Sequence, residues 1–308
     1  MDNVEELRRE ADEVKDRLKR DILELRGILQ RASANIEETN QTDIEEAVKK
    51  AERRIEETVT HVEERFDKAL GLMSESLQNN EDFVTRKLDY HDFVNIEAGC
   101  AFRVETVQSE KYDISVRAVK DLIDDVILVK SGNTLKMSLR QHIFQSRPSV
   151  QVKIGMPLIN KIRLGAATRC TMHGFKSQEN LDIRLTGNSV LVTDIAAGNA
   201  KCEISGASRL TGKMVLIDAE FVLSGASRIE LQGSAKNVLL NAWGASNAET
   251  EHFQVDNMTV QMNGASKATI NANHTVDINL DSGSRLTYLN SPTIRNIYVS
   301  GASSLSHK

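Results

Sequence analysis

The chain has 308 residues, with 39 Lys and Arg against 44 Asp and Glu, for a formal charge of -5. This length accommodates a large core and up to two domains, and the nearly balanced charge excludes the strongly basic footprint of a nucleic-acid binder. An aromatic content of 4% and only three prolines do not suggest a deep aromatic ligand pocket.

The opening stretch MDNVEELRREADEVKD has neither a basic n-region nor an apolar h-region. No run approaches the ~18 apolar residues of a membrane span. On these features the expected location is the cytoplasm. Cys100, Cys170 and Cys202 are odd in number and fit neither a disulfide framework nor a zinc motif.

Residues 3–78 are rich in Glu, Arg, Lys, Leu and Ala and lack proline. Apolar positions fall at Leu7, Ala11, Val14, Leu18, Ile22, Leu25 and Leu29, then at Ile44, Val48, Ala51, Ile55, Val59, Val62, Phe66, Leu70, Met73 and Leu77. The steps repeat as 4-3-4, a period of about 3.67 residues per turn that favours a straight or slightly right-handed bundle. Thr42-Asp43-Ile44-Glu45 fits a capping box. The spacing predicts two long helices, about 3–38 and 43–78, paired as a hairpin, or one long helix with a phase slip near Asn40. The apolar stripe is expected to pack on a partner helix or on other copies of the chain; the alternative is a membrane surface, which the mixed Glu and Arg of the polar face disfavour.

From about residue 83 the period changes to two. Val94, Ile96 and Ala98 alternate with polar residues, as do Phe102, Val104 and Thr106, and Tyr112, Ile114 and Val116. LVKSGNTLKMSL reads as a hairpin turning at Ser131-Gly132-Asn133. The stretch VKDLIDDV is ambiguous between helix and strand, and Asp124-Asp125 reads as a solvated turn.

The remainder is a repeat. With the usual glycine of SGAS-[RK] taken as position zero, zero falls at Ala166, Gly187, Gly206, Gly225, Gly244, Gly264, Ser282 and Gly301, at intervals of 21, 19, 19, 19, 20, 18 and 19. Positions -4 and -2 are mostly apolar, from Ile183/Leu185 to Ile297/Val299. Position +2 is always a hydroxyl, and position +4 is apolar or small. All are even offsets, so an extended chain points them to one side. Stacked coils of a β-helix account for this pattern. Gly bends the corner, and each +2 hydroxyl is expected to bond the one in the next coil.

The SGAS-[RK] series, preceded by FVNIEAGCAFRVETVQSEKYDISVRAVKDLIDDVILVKSGNTLKMSL, resembles the putative auto-transporter adhesin, head GIN domain family over about residues 84–306. The resemblance implies a right-handed parallel β-helix-like solenoid, found in many bacteria and often in secreted or envelope proteins. It offers the cell envelope or surface as the alternative location. Related modules occur beside envelope-stress proteins.

The sequence holds no G-x-S-x-G elbow, no Walker loop and no G-x-G-x-x-G, and its histidines are scattered without paired metal spacing. Cys100, Cys170 and Cys202 read as core, with Cys170 and Cys202 at inward offsets. One constellation stands out. Position +3 carries Arg169, Val190, Arg209, Arg228, Asn247, Lys267, Arg285 and Ser304. The odd offset turns these residues to solvent in one column. Arg209, Arg228, Lys267 and Arg285 form a candidate stripe for a polyanion. The competing reading is a solvated face neutralised by Glu203, Glu230 and Glu249.

The expected fold is therefore mainly β with an α-helical N-terminal segment: a parallel β-helix, or solenoid, of ~19–20-residue coils preceded by two long helices. Residues 1–80 are expected to form the long-helix segment. Residues 81–308 form the solenoid, with opening strands at 81–160 and repeated coils at 161–308. The expected function is non-enzymatic, without cofactor or metal: an adhesin-like or scaffold module, homo-oligomeric through residues 3–78. Its expected partners are a glycan, the envelope or another protein, with no specific nucleic-acid binding. The alternatives are a membrane-associated envelope-stress scaffold and a carbohydrate-active β-helix enzyme.

Overall fold

The computed structural model describes residues 83–140 and 150–308. The two long helices expected within 3–78 lie outside the described residues.

The repeats stack in parallel, as their spacing requires. Each coil sends one strand into a corner and a second strand out of it. The entering strands are β2 (Asn95–Ala98), β8 (Lys161–Leu164), β10 (Leu181–Leu185), β12 (Ala200–Ile204) and β14 (Asp218–Leu223). The leaving strands are β3 (Arg103–Gln108), β9 (Arg169–Lys176), β11 (Val190–Ala196) and β13 (Arg209–Val215). In β15 (Arg228–Ala242), β16 (Asn247–Met262) and β17 (Lys267–Leu280), a leaving strand runs on into the next entering strand. β18 (Arg285–Leu289), β19 (Thr293–Val299) and β20 (Ser304–His307) close the series.

The register keeps equivalent positions on top of one another. Ile183 pairs with Cys202, Cys202 with Phe221, and Phe221 with Leu240. The even offsets are the core, and Leu185, Leu191, Leu210, Leu223, Ile229 and Leu240 are fully buried. Cys170 and Cys202 lie among them, and burial pushes the Cys170 thiol up to about 12 and Cys202 higher still. Neither is an available nucleophile at neutral pH. The last coil differs. Ile297 is 56% exposed and Val299 41% exposed, although both occupy inward offsets. No described strand stacks beyond β19 to cover them.

Every corner bends the same way. The residue at position zero has φ between +47° at Ala166 and +75° at Gly244 and Gly264. The next coil lies directly on this bend, so a Cβ at Gly225 would come within 2.8 Å of the Gly206 carbonyl oxygen. Backbone bonds tie the corners together: Arg228 N–H donates to Ser208 O at 3.0 Å, and Asn247 N–H to Ser227 O at 2.9 Å.

The +2 hydroxyls form a buried column, from Thr168 through Ser284. Their bonding differs from the expected hydroxyl-to-hydroxyl ladder. Only Ser189–Ser208 at 3.4 Å and Ser284–Ser303 at 3.3 Å bond across coils in that way. Ser246 and Ser266 instead donate to the carbonyl three residues earlier in their own turn, at 2.5 Å each, and Ser284 also lies 2.7 Å from the equivalent carbonyl, nearer than Ser303. That carbonyl is the nearer acceptor, so the hydroxyl closes its own corner. The Ser227 hydroxyl has no partner among the described residues. Ser266→Ala is expected to cost about 1 kcal/mol, whereas Ser227→Ala should be neutral or stabilising. Urea midpoints of the two variants check this, and equal losses would contradict it.

The opening strands build a layer over the first coil. β4 (Asp113–Val119) pairs antiparallel with β1 (Phe83–Leu88) and β7 (Gln151–Met156). β5 (Val126–Ser131) and β6 (Thr134–Leu139) form the expected hairpin, which turns through Gly132 and Asn133. VKDLIDDV contains a single helical turn, α1 (Lys120–Ile123), anchored by Leu122 and Ile123. Asp124 follows it and pairs with Arg86 at 2.8 Å. β6 and β7 then lie on β2 and β3, which are paired on their other side with β8 and β9.

Candidate functional site

Both outer faces of the solenoid carry charge, and one column on each arranges it in opposite ways. On the face made by the entering strands, one column reads Lys161, Asp182, Lys201, Glu220. Its charges alternate and pair: Lys161 Nζ lies 3.1 Å from Asp182 Oδ2, and Lys201 Nζ lies 3.4 Å from Glu220 Oε2. Beside it, Glu203 receives Arg184 and Lys201, and its carboxyl is held below the usual range, chiefly by the Arg184 hydrogen bond.

On the face made by the leaving strands, the register aligns Arg103, Arg169, Val190, Arg209, Arg228, Asn247, Lys267, Arg285 and Ser304 in one column. Neighbours are about 4.8 Å apart at the backbone. Arg209, Lys267 and Arg285 are exposed, and none has an ion-pair partner among the described residues. Arg228 is different. Its Nη2 lies 2.5 Å from Glu249 Oε2 and 3.6 Å from Glu230 Oε2. Asn247 Nδ2 donates to the same Glu249 carboxylate at 2.9 Å. Of the four sequence candidates, three are open cations and one is committed to structure. Glu230 and Glu249 are the neighbours expected of the column. Glu203 is not, because it lies on an entering strand and serves the other face.

Two residues toward the corner, on the same face, Ala207, Ala226, Ala245 and Ala265 are exposed. These methyl-sized side chains leave the cations open from that side.

Two features were not anticipated. Arg103 joins the column from the opening strands, because Val94–Thr106 is itself a coil. Cys100 and Ala101, at φ +62° and +59°, form its corner, and buried Phe102 stands where the hydroxyl would be. The second is a polar ladder seven residues before zero: Asn180, Asn199, Asp218, Asn237, Asn257 and Thr275. Asn237 Nδ2 donates to Asp218 Oδ1 at 2.7 Å, Asn257 Nδ2 to Asn237 Oδ1 at 3.0 Å, and Thr275 Oγ1 to Asn257 Oδ1 at 2.8 Å. The ladder lines a groove of about 900 Å³, but its amides largely satisfy one another. Among the described residues, no group of three His, Cys, Asp or Glu could hold a metal ion.

The fold is shared with solved structures of low identity. A putative lipid binding protein from Parabacteroides distasonis matches at 18% identity and a TM-score of 0.65, covering 74% of this chain and 98% of that one. A putative adhesin from Parabacteroides merdae matches at 14% identity and 0.66, covering 74% and 97%. A putative adhesin from Parabacteroides distasonis matches at 12% and 0.68, covering 74% and 98%. No curated protein matches the chain. The family model described as putative auto-transporter adhesin, head GIN domain, matches residues 92–292, two thirds of the chain and nearly the whole stack of coils, and the chain belongs to that family.

Proposed function

We propose that this protein is a non-enzymatic interaction module that presents the leaving-strand face of its solenoid to a polyanionic surface at the cell envelope. The observation that carries this reading is the contrast between the Lys161–Glu220 column on one face and the Arg103–Arg285 column on the other. Stacked like charges repel. In the Lys161–Glu220 column of the entering-strand face the chain avoids that cost by alternating sign, and in the column beside it the stacked pair Arg163 and Arg184 is flanked by Glu97 and Glu203. On the leaving-strand face it places Arg103, Arg169 and Arg209 in one column with no acidic residue among them. An anionic partner would relieve this repulsion, and the small residues beside the column leave room for it.

Adhesin and lipid-binding names among the structural relatives agree with this reading, and family membership favours the envelope over the expected cytoplasm. Among the described residues, no helix is long and apolar enough to cross a membrane. Oligomerisation through residues 3–78 would add valency. It rests on their eleven-residue period alone, and a monomeric mass for the full chain would overturn it.

The test is a low-salt binding screen against polygalacturonate, phosphatidylglycerol vesicles and DNA. R209S/K267S/R285S is expected to bind the preferred polyanion at least about tenfold more weakly, through loss of three charged contacts. Its stability should stay within ~0.5 kcal/mol of the parent, as for other exposed substitutions. R228S should do the reverse, weakening binding less and stability more, because it strips Glu249 of its partner. Unchanged binding in the triple variant would overturn the proposal.

A further inference from the structure

At the N-terminal pole of the cation column the face is concave. Strand β3 lies between β7 and β9, so Gln151, Arg103 and Arg169 occupy successive layers at one position, and Lys153, Glu105 and Thr171 occupy them two residues on. Together they line a depression of about 400 Å³, with His173 at its margin. Lys153 Nζ sits 3.1 Å from Glu105 Oε2, so the one carboxylate in the depression is already matched. Two arginines, Arg103 and Arg169, therefore stand in register on adjacent strands and line one depression, with no ion-pair partner for either among the described residues.

We propose that Arg103 and Arg169 form a subsite for a single phosphate monoester group. The proposal rests on the polyanion reading above and names the ligand chemistry at one end of the column. A guanidinium offers five N–H donors in a rigid plane and no acceptor, and it binds phosphate in bidentate fashion. Two such forks, with the Thr171 hydroxyl and the Gln151 amide beside them, supply more donors than the two oxygens of a carboxylate can accept. A phosphodiester has two free oxygens and one charge. A monoester has three terminal oxygens and a charge of about -1.5 to -2 at neutral pH, which matches two cations without a third. The concavity takes one such group, whereas the open column beyond Val190 meets an extended surface. The monoester could belong to a lipid headgroup or to a free phosphate compound.

The test uses the full chain and phosphatidylcholine vesicles doped with either phosphatidic acid, a monoester, or phosphatidylglycerol, a diester, at matched surface charge. The parent is expected to bind the monoester vesicles about tenfold more tightly, the size of one charged hydrogen bond. R103K/R169K keeps the charge but loses both forks, so it should bind the two vesicles equally while retaining its affinity for phosphatidylglycerol. R209S/K267S/R285S should weaken both and keep the preference. Inorganic phosphate is then added at constant ionic strength. If it displaces the parent from phosphatidic acid, the site takes the free group. A preference that depends on both arginines but resists inorganic phosphate assigns the site to the lipid headgroup. Equal binding of the two vesicles by the parent, or a preference that survives R103K/R169K, would overturn the subsite and leave the column intact. No binding to either vesicle, or to any acidic glycan, would remove the polyanion reading itself.

Discussion

Gly212→Ala is expected to destabilise the solenoid by about 3 kcal/mol or more, from a strained backbone angle combined with overpacking. Gly212 has φ +118°, where a side chain is seldom tolerated. An added Cβ would sit 2.1 Å from the Thr193 carbonyl oxygen and 3.0 Å from its nitrogen, both backbone atoms of the adjacent strand. Nothing flexible can move aside, so the coil itself must shift. Gly233→Ala should behave alike, with its Cβ 2.0 Å from the Met214 carbonyl oxygen at φ +114°. Two controls separate crowding from conformation. Gly174 has φ +75° but open space around it, so its alanine variant should lose only about 1–2 kcal/mol, the left-handed penalty. Gly99 has open space and no positive φ, and its alanine variant should be close to neutral. Denaturant midpoints rank the four. A Gly212→Ala variant as stable as Gly99→Ala would contradict the stacking of β13 on β11.

Phe221→Ala is expected to cost about 3–5 kcal/mol, the range for truncating a buried aromatic. Phe221 is 1% exposed at an inward position and meets Phe253 edge-on, with centroids 6.1 Å apart. Its neighbours in the column are Cys202 in one coil and Leu240 in the other. The large ring fills space that the small cysteine leaves, and coils locked in register cannot collapse into the hole. Leu is the conservative control and should cost appreciably less. A loss under about 1 kcal/mol for Phe221→Ala would mean that this column is loosely packed.

Much of this arrangement was readable because two periods coincide. Alternation by two decides which residues face the core, and recurrence near nineteen decides which lie above one another. Ile183, Cys202, Phe221 and Leu240 could thus be placed in one buried column, and Arg209 next to Arg228, without coordinates. What escaped does not obey both periods. The Val94–Thr106 coil hides its corner in Cys100-Ala101 and replaces the hydroxyl with Phe102, so Arg103 was not seen to extend the column. The inserted layer from β4 to β7 also breaks the interval between that coil and the next. The Asn180–Thr275 ladder does recur, seven residues before zero, but at an odd offset where solvent rather than a ladder was expected. Side-chain pairing was the least accessible. Nothing in the spacing says that Glu249 reaches Arg228 while Arg209 stays open, because that depends on rotamers across coils rather than on register. The hydroxyl column was placed correctly, but its bonding was not, since a carbonyl within the same turn competes with the hydroxyl one coil away.

The most direct test of the cation column is the affinity of the full chain for dextran sulfate, measured across a series of sodium chloride concentrations beside R209S/K267S/R285S. Exposed charges are screened over about 8–10 Å near physiological ionic strength, so the parent should bind at low salt and lose affinity steeply as salt rises. The triple variant should start weaker and show a shallower dependence on salt. A parent that fails to bind at low salt, or whose binding ignores both salt and the three substitutions, would show that the column is not a binding surface.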